Sequence, residues 1–112
     1  MILGIGIDII ENNRITDKNS NGIANKILTT KEKEIYNTKI GRKKVEYLSG
    51  RFAIKEAIYK AINDYEEPTW KEIETYNSEN GKPVAIYKNH KLLVSISHEK
   101  NYTIAEAILL DK

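Results

Sequence analysis

The stretch Ser49-Gly50-Arg51-Phe52-Ala53-Ile54-Lys55-Glu56-Ala57-Ile58-Tyr59-Lys60-Ala61-Ile62 decides how this chain is read. Within it Ile54, Ala57, Ile58, Ala61 and Ile62 recur at i, i+3, i+4, i+7 and i+8, the spacing of one apolar helix face. Ser49 stands ahead of that run, where an N-cap would. The opposite side collects Arg51, Lys55, Glu56, Tyr59 and Lys60. Glu56 and Lys60 are four apart and therefore neighbours on a helix surface, and an ordinary solvated pair of this kind contributes only about 0.3–0.5 kcal/mol. The pattern predicts a helix from about 43 to 62, with or without a break at Ser49-Gly50, whose apolar stripe is core. Its polar face is either solvated surface or chemistry.

Working outward, residues 2–8 read as a strand, with Leu3, Ile5 and Ile7 on one face and Gly4, Gly6 and Asp8 on the other. The two glycines clear the face on which Asp8 stands, and glycine inside a strand marks close approach of another backbone or a ligand. A short Asn-capped helix is expected over 11–16, ended by the polar turn chemistry of 17–22. A second helix is expected to start at Thr29 or Thr30, with Glu32 in its first turn. The C-terminal part reads as β structure. Strands over 72–76 and 84–87 flank Asn80-Gly81, a strong hairpin signal. An alternating strand follows over 92–98, with Leu92, Val94, Ile96 and His98 on one face, and a long return strand over 102–110. Strand, helices, then strands predicts α+β: helices packed on an antiparallel sheet, in one domain over 1–112.

Composition narrows the function classes. The 112 residues suit a single small domain whose core is modest, so association covering more apolar surface would help it. No apolar run approaches the ~20 residues needed to span a bilayer, and no basic segment precedes the apolar N-terminus, so a cytoplasmic location is expected. There is no cysteine, which removes disulfides, thiol nucleophiles and cysteine-ligated zinc. The net charge of +2 permits an acidic or phosphorylated partner without requiring one. Lysines alternate with acids along the chain instead of lining one face with aromatics, which argues against nucleic acid.

The polar residues leave alternatives open. Asp8 ends an apolar strand, as a turn acid does; paired with Glu56 it would also supply the one or two carboxylates that hold Mg²⁺ on a phosphorylated substrate. Lys60 could offset charge on a departing phosphate oxygen, and Glu56 could take a proton from an attacking hydroxyl. His98 is either a hydrogen-bonded structural residue or a phosphate donor. Ser95-Ile96-Ser97-His98 lacks the glycine-flanked elbow of a serine hydrolase, and neither a Walker A loop nor a full dinucleotide fingerprint occurs.

Four blocks taken in order resemble the holo-acyl-carrier-protein synthase family, the small 4′-phosphopantetheinyl transferases. They are Gly4-Ile5-Gly6-Ile7-Asp8-Ile9 with Arg14-Ile15, Gly50-Arg51-Phe52-Ala53-Ile54-Lys55-Glu56-Ala57 with Lys60-Ala61, Asn80-Gly81-Lys82-Pro83, and Ser95-Ile96-Ser97-His98. The resemblance implies the phosphopantetheinyl transferase fold. It also implies transfer of phosphopantetheine from coenzyme A to a serine of apo acyl carrier protein, with release of adenosine 3′,5′-bisphosphate. By that resemblance Asp8 and Glu56 hold Mg²⁺, Glu56 assists deprotonation and Lys60 stabilises charge. Arg51, Lys60, Asn80, Gly81, Pro83 and His98 address coenzyme A, Arg14 faces the carrier protein, and the assembly is a homotrimer. A non-catalytic coenzyme A or carrier-binding module on the same scaffold is the alternative. Two departures from the family pattern stand out. The region after Arg14 is short and polar, leaving Lys18 and Lys26 as its basic residues, and Ile62-Asn63-Asp64-Tyr65 replaces a glycine-rich turn.

Overall fold

A computed structural model describes residues 1–111. Strand β1 (Gly4–Glu11) leads through a 3₁₀ turn, Asn12–Arg14, into α1 (Ser20–Ile27), α2 (Thr30–Thr38) and α3 (Arg42–Ile62). A second 3₁₀ turn, Trp70–Glu72, precedes the hairpin β2 (Glu74–Asn77) and β3 (Pro83–Ile86), and β4 (Lys91–His98) and β5 (Tyr102–Asp111) close the chain. The main sheet has the order β1-β5-β4 with both pairings antiparallel, and β2 pairs with β3 separately. The α+β expectation holds.

Register explains the layering. Gly6, Ala107 and Val94 form one cross-strand row; Asp8, Ala105 and Ile96 form the next; Ile10, Thr103 and His98 the third. This face meets α3, whose Ala53, Ile54, Ala57, Ile58, Ala61 and Ile62 are all buried. Small residues on both sides bring the backbones together: a Cβ on Gly4 would lie 1.9 Å from the Ala61 carbonyl oxygen, and one on Gly6 equally close to that of Ala57. The glycines therefore admit a helix backbone, and the glycine face of β1 is its core face. Its isoleucine face is the open one, with Ile5, Ile7 and Ile9 each more than half exposed.

Several local expectations are corrected. Ser49 caps nothing: α3 runs unbroken from Arg42 and Ser49 is buried within it. The N-cap is Gly41, at a φ of 59° that favours glycine. Only three residues of 11–16 are helical, with no side-chain cap. Ser20, Asn21 and Gly22 open α1, because Thr16 and Asn19 exchange side-chain and backbone hydrogen bonds that complete the turn just before them. The cap of α2 is Thr29, in a full capping box with Glu32.

Lys55 leaves the polar face altogether. Its buried Nζ donates to Glu32 Oε1 at 2.6 Å, to the Ile27 carbonyl at 2.7 Å and to the Trp70 carbonyl at 2.9 Å. Glu32 Oε2 in turn accepts from the backbone N–H and hydroxyl of Thr75. Burial lowers the Lys55 pKa from the ordinary lysine value, and the Glu32 carboxylate opposes that shift. One buried, fully hydrogen-bonded pair thus ties α1, α2, α3 and β2 together.

Candidate active site

With Lys55 removed, the polar face of α3 divides by height along the helix. Near its C-terminal end, Lys60 Nζ donates to the Ile7 carbonyl at 2.9 Å and to Asp8 Oδ1 at 3.2 Å. The pair the sequence suggested, Glu56 with Lys60, is replaced by Asp8 with Lys60: the close packing of β1 on α3 brings the strand acid within reach. Asp8 Oδ2 is buried with no partner. Burial raises the Glu56 pKa above the ordinary carboxylate value, the Asp8 charge adds to the rise, and Lys60 opposes it. Glu56, whose ionisation the Asp8 charge makes costlier, together with Asp8 and its orphaned oxygen, is a donor set suited to a hard cation. Their neighbour Lys60 remains half-exposed, so its ammonium is available to an anion. A cleft of about 330 Å³ opens beside Glu56, walled by Tyr59, Pro68, Thr69, Trp70 and Ile73.

A second cleft of about 420 Å³ lies one to two turns back along α3. Its lining brings together Arg51, Gly81, Pro83 and His98 from three separate sequence blocks. Arg51 is buried; its Nη2 donates to Asn77 Oδ1 at 3.0 Å, while Nε and Nη1 have no partner. Its guanidinium lies 4.7 Å from the centre of the Tyr47 ring. Lys39 and Lys43 add positive charge against the single carboxylate of Glu46. A concave site lined by a buried arginine with two unpartnered nitrogens suits a phosphate. Gly50 gives His98 its place, since a Cβ there would lie 3.3 Å from the imidazole Cε1.

The remaining residues stand apart. Asn80 is exposed in the β2–β3 turn and is not part of the cleft lining, although Gly81, at a φ of 83°, and Pro83 are. Arg14 is exposed at the end of the 3₁₀ turn and lines neither cleft. Lys39, Lys43, Glu46, Tyr47 and Asn77 were not singled out from sequence. A signal existed for some of them: Lys43, Tyr47 and Arg51 are spaced i, i+4, i+8 and so share one side of a helix.

This geometry coincides with a family match. The family model described as the 4'-phosphopantetheinyl transferase superfamily matches residues 4–107. The chain belongs to that superfamily. Among relatives, the holo-[acyl-carrier-protein] synthase of Geobacillus sp. (strain WCH70) is 43% identical over 116 residues, covering 97% of each chain. That of Mycoplasma mycoides subsp. mycoides is 43% identical over 109 residues, covering 96% of this chain and 94% of the relative. A crystal structure of the Bacillus anthracis synthase in complex with CoA (3',5'-ADP) superposes with a TM-score of 0.90 at 37% identity, covering 100% of this chain and 99% of that one. The fold is thus the phosphopantetheinyl transferase fold, as the four sequence blocks implied.

Proposed function

We infer that this transferase moves 4′-phosphopantetheine from coenzyme A to a serine hydroxyl of an apo acyl carrier protein and releases adenosine 3′,5′-bisphosphate. The observation that carries this reading is the juxtaposition, along α3, of a carboxylate pair with a lysine (Asp8 from β1 with Glu56 and Lys60) and a cationic cleft that Arg51 lines with Gly81, Pro83 and His98. The cleft takes the phosphorylated nucleotide end of coenzyme A. The carboxylate end takes the diphosphate, where Asp8 and Glu56 would hold Mg²⁺, whose charge offsets that of the diphosphate oxygens. The serine oxygen bonds to the phosphorus bearing pantetheine as the bond from that phosphorus to the nucleotide-side bridging oxygen breaks. Glu56, directly or through water, takes the serine proton. Lys60 offsets the charge that develops on the leaving phosphate. Arg14 faces the carrier, and Asn80 flanks the nucleotide from its turn.

The proposal includes self-association. Ile5, Ile7, Ile9, Leu93 and Ile104 share the outer face of the sheet and are exposed. Glu106, Ser95 and Ser97 interrupt this face, but the exposed isoleucine row of β1 on a chain this small supports covering by further copies, in a homotrimer. A cytoplasmic setting completes the reading; among the described residues no helix is long and apolar enough to cross a membrane.

The test is intact-mass analysis of apo acyl carrier proteins after incubation with the protein, coenzyme A and Mg²⁺. The expected result is a gain of one phosphopantetheine unit on the carrier, lost when the metal is chelated. Coenzyme A binding with no mass gain on several carriers would instead assign a non-catalytic binding module.

A further inference from the structure

A hydrogen-bond chain behind His98 takes no part in the chemistry above. Asn12 is nearly buried at the end of β1, and its Nδ2 donates to the carbonyls of Glu99 and Lys100, both at 3.2 Å. Only the amide nitrogen can satisfy two carbonyls, so the orientation of the Asn12 side chain is fixed and Oδ1 points the other way. There it lies 2.8 Å from Oγ1 of Thr103, a fully buried residue. Asn12 Oδ1 can only accept, so the one hydroxyl hydrogen of Thr103 goes to it. Thr103 Oγ1 is then left with lone pairs for its other neighbour, His98 Nδ1, at 2.9 Å. That nitrogen must carry a hydrogen; the opposite tautomer would set its lone pair against those of the fully buried Thr103 hydroxyl.

The consequence lies at the far side of the ring. With hydrogen on Nδ1, the titrating atom is Nε2, which sits next to Gly50 on the lining of the cationic cleft. Both the neutral and the protonated ring keep Nδ1–H, so gaining a proton at Nε2 needs no rearrangement of the chain behind it. The charged groups facing the ring are Glu46 and Arg51, with Lys39 and Lys43 across the cleft. Burial lowers the His98 pKa, Glu46 opposes this and Arg51 adds to it.

We propose that Asn12 and Thr103 are positioning residues that lock His98 with Nδ1–H on Thr103 and Nε2 presented to the cleft, where it donates to a phosphate of the bound nucleotide. The proposal rests on reading this cleft as the nucleotide end of the coenzyme A site.

The chain has two histidines, so a His90→Gln background isolates His98 for ¹⁵N NMR of the imidazole. The expected spectrum of the free protein is the Nδ1–H neutral tautomer, and addition of adenosine 3′,5′-bisphosphate should protonate Nε2. Thr103→Val keeps shape but removes the acceptor; it should release the tautomer and raise KM for coenzyme A about 3- to 10-fold, the range of one net hydrogen bond, with a smaller change in kcat. Thr103→Ser should restore both. An Nε2–H tautomer in the parent protein, or a Thr103→Val protein with unchanged tautomer and KM, would overturn the proposal. Transfer activity with an Nε2 signal indifferent to the bisphosphate would overturn its phosphate contact while leaving the function standing. Absence of transfer would strike the function, and the tautomer would still decide the lock.

Discussion

Gly6→Ala probes the packing that brings Asp8 to α3. The added Cβ would lie 1.9 Å from the Ala57 carbonyl oxygen and 2.9 Å from both the Ala57 carbonyl carbon and the Ala61 nitrogen. These are backbone atoms of a helix and cannot rotate aside, so β1 and α3 must part by about 1.5 Å to restore van der Waals contact. Overpacking of this kind costs about 3 kcal/mol, the upper end of its usual range because no side chain can yield. For a domain of this length that lowers Tm by roughly 10–20 °C. The same shift carries Asp8 away from Glu56 and Lys60, and a misplacement of about 1 Å can cost on the order of 100-fold in rate. Gly22→Ala is the control. It lies in α1 with nothing within 4 Å of its added Cβ, so it should stabilise by about 0.5–1 kcal/mol through helix propensity. Thermal melts followed by far-UV circular dichroism, paired with the carrier mass assay, read both effects. A Gly6→Ala protein that melts within about 2 °C of the parent, against the shift derived above, would refute the close-packing argument.

Lys55→Met should destabilise by about 3–5 kcal/mol in urea denaturation, because Glu32 would be left buried without its counter-ion. Under the proposed trimer, Ile7→Asp on the open sheet face should lower the sedimentation mass relative to the parent, whereas the same change at the exposed Ile40 should not. Metal linkage has a definite sign. The folded pKa of Glu56 lies above its ordinary 4.5, so without metal its contribution to stability is present below that value and is lost as pH rises through the raised one. Mg²⁺ held as proposed would compete with that proton; the Tm gain on adding Mg²⁺ should therefore grow as pH rises through the raised pKa and vanish well below it.

Much of the site was legible because its residues sit at fixed intervals on one helix and one strand. The α3 periodicity located the core stripe, and Gly4 and Gly6 announced a close backbone approach to the face of Asp8. Periodicity could not tell that Lys55, midway between core and surface positions, would be drawn inward: that depends on Glu32 and two carbonyls supplied by elements far off in sequence. Nor could spacing show that Lys60 turns to Asp8, a pairing made by the strand–helix packing. Ser49 misled because a hydroxyl before an apolar run is a cap only if the chain ahead is non-helical, and here the helix had already begun at Arg42. The start of α1 was hidden by Asn and Gly residues, which favour turns locally and are held helical by the burial of Ala24 and Ile27. The hydrogen-bond chain through Asn12, Thr103 and His98 is invisible in sequence, since it depends on register between β1, β5 and β4.

Single-turnover transfer by Glu56→Gln tests most directly whether Glu56 acts at the reacting diphosphate. The substitution keeps the shape of the side chain and removes its charge and its basicity. With an unchanged circular dichroism spectrum and coenzyme A still bound, the carrier should gain phosphopantetheine at least about 100-fold more slowly than with the parent protein, the scale of a lost general base. Transfer at the parent rate would contradict the assignment.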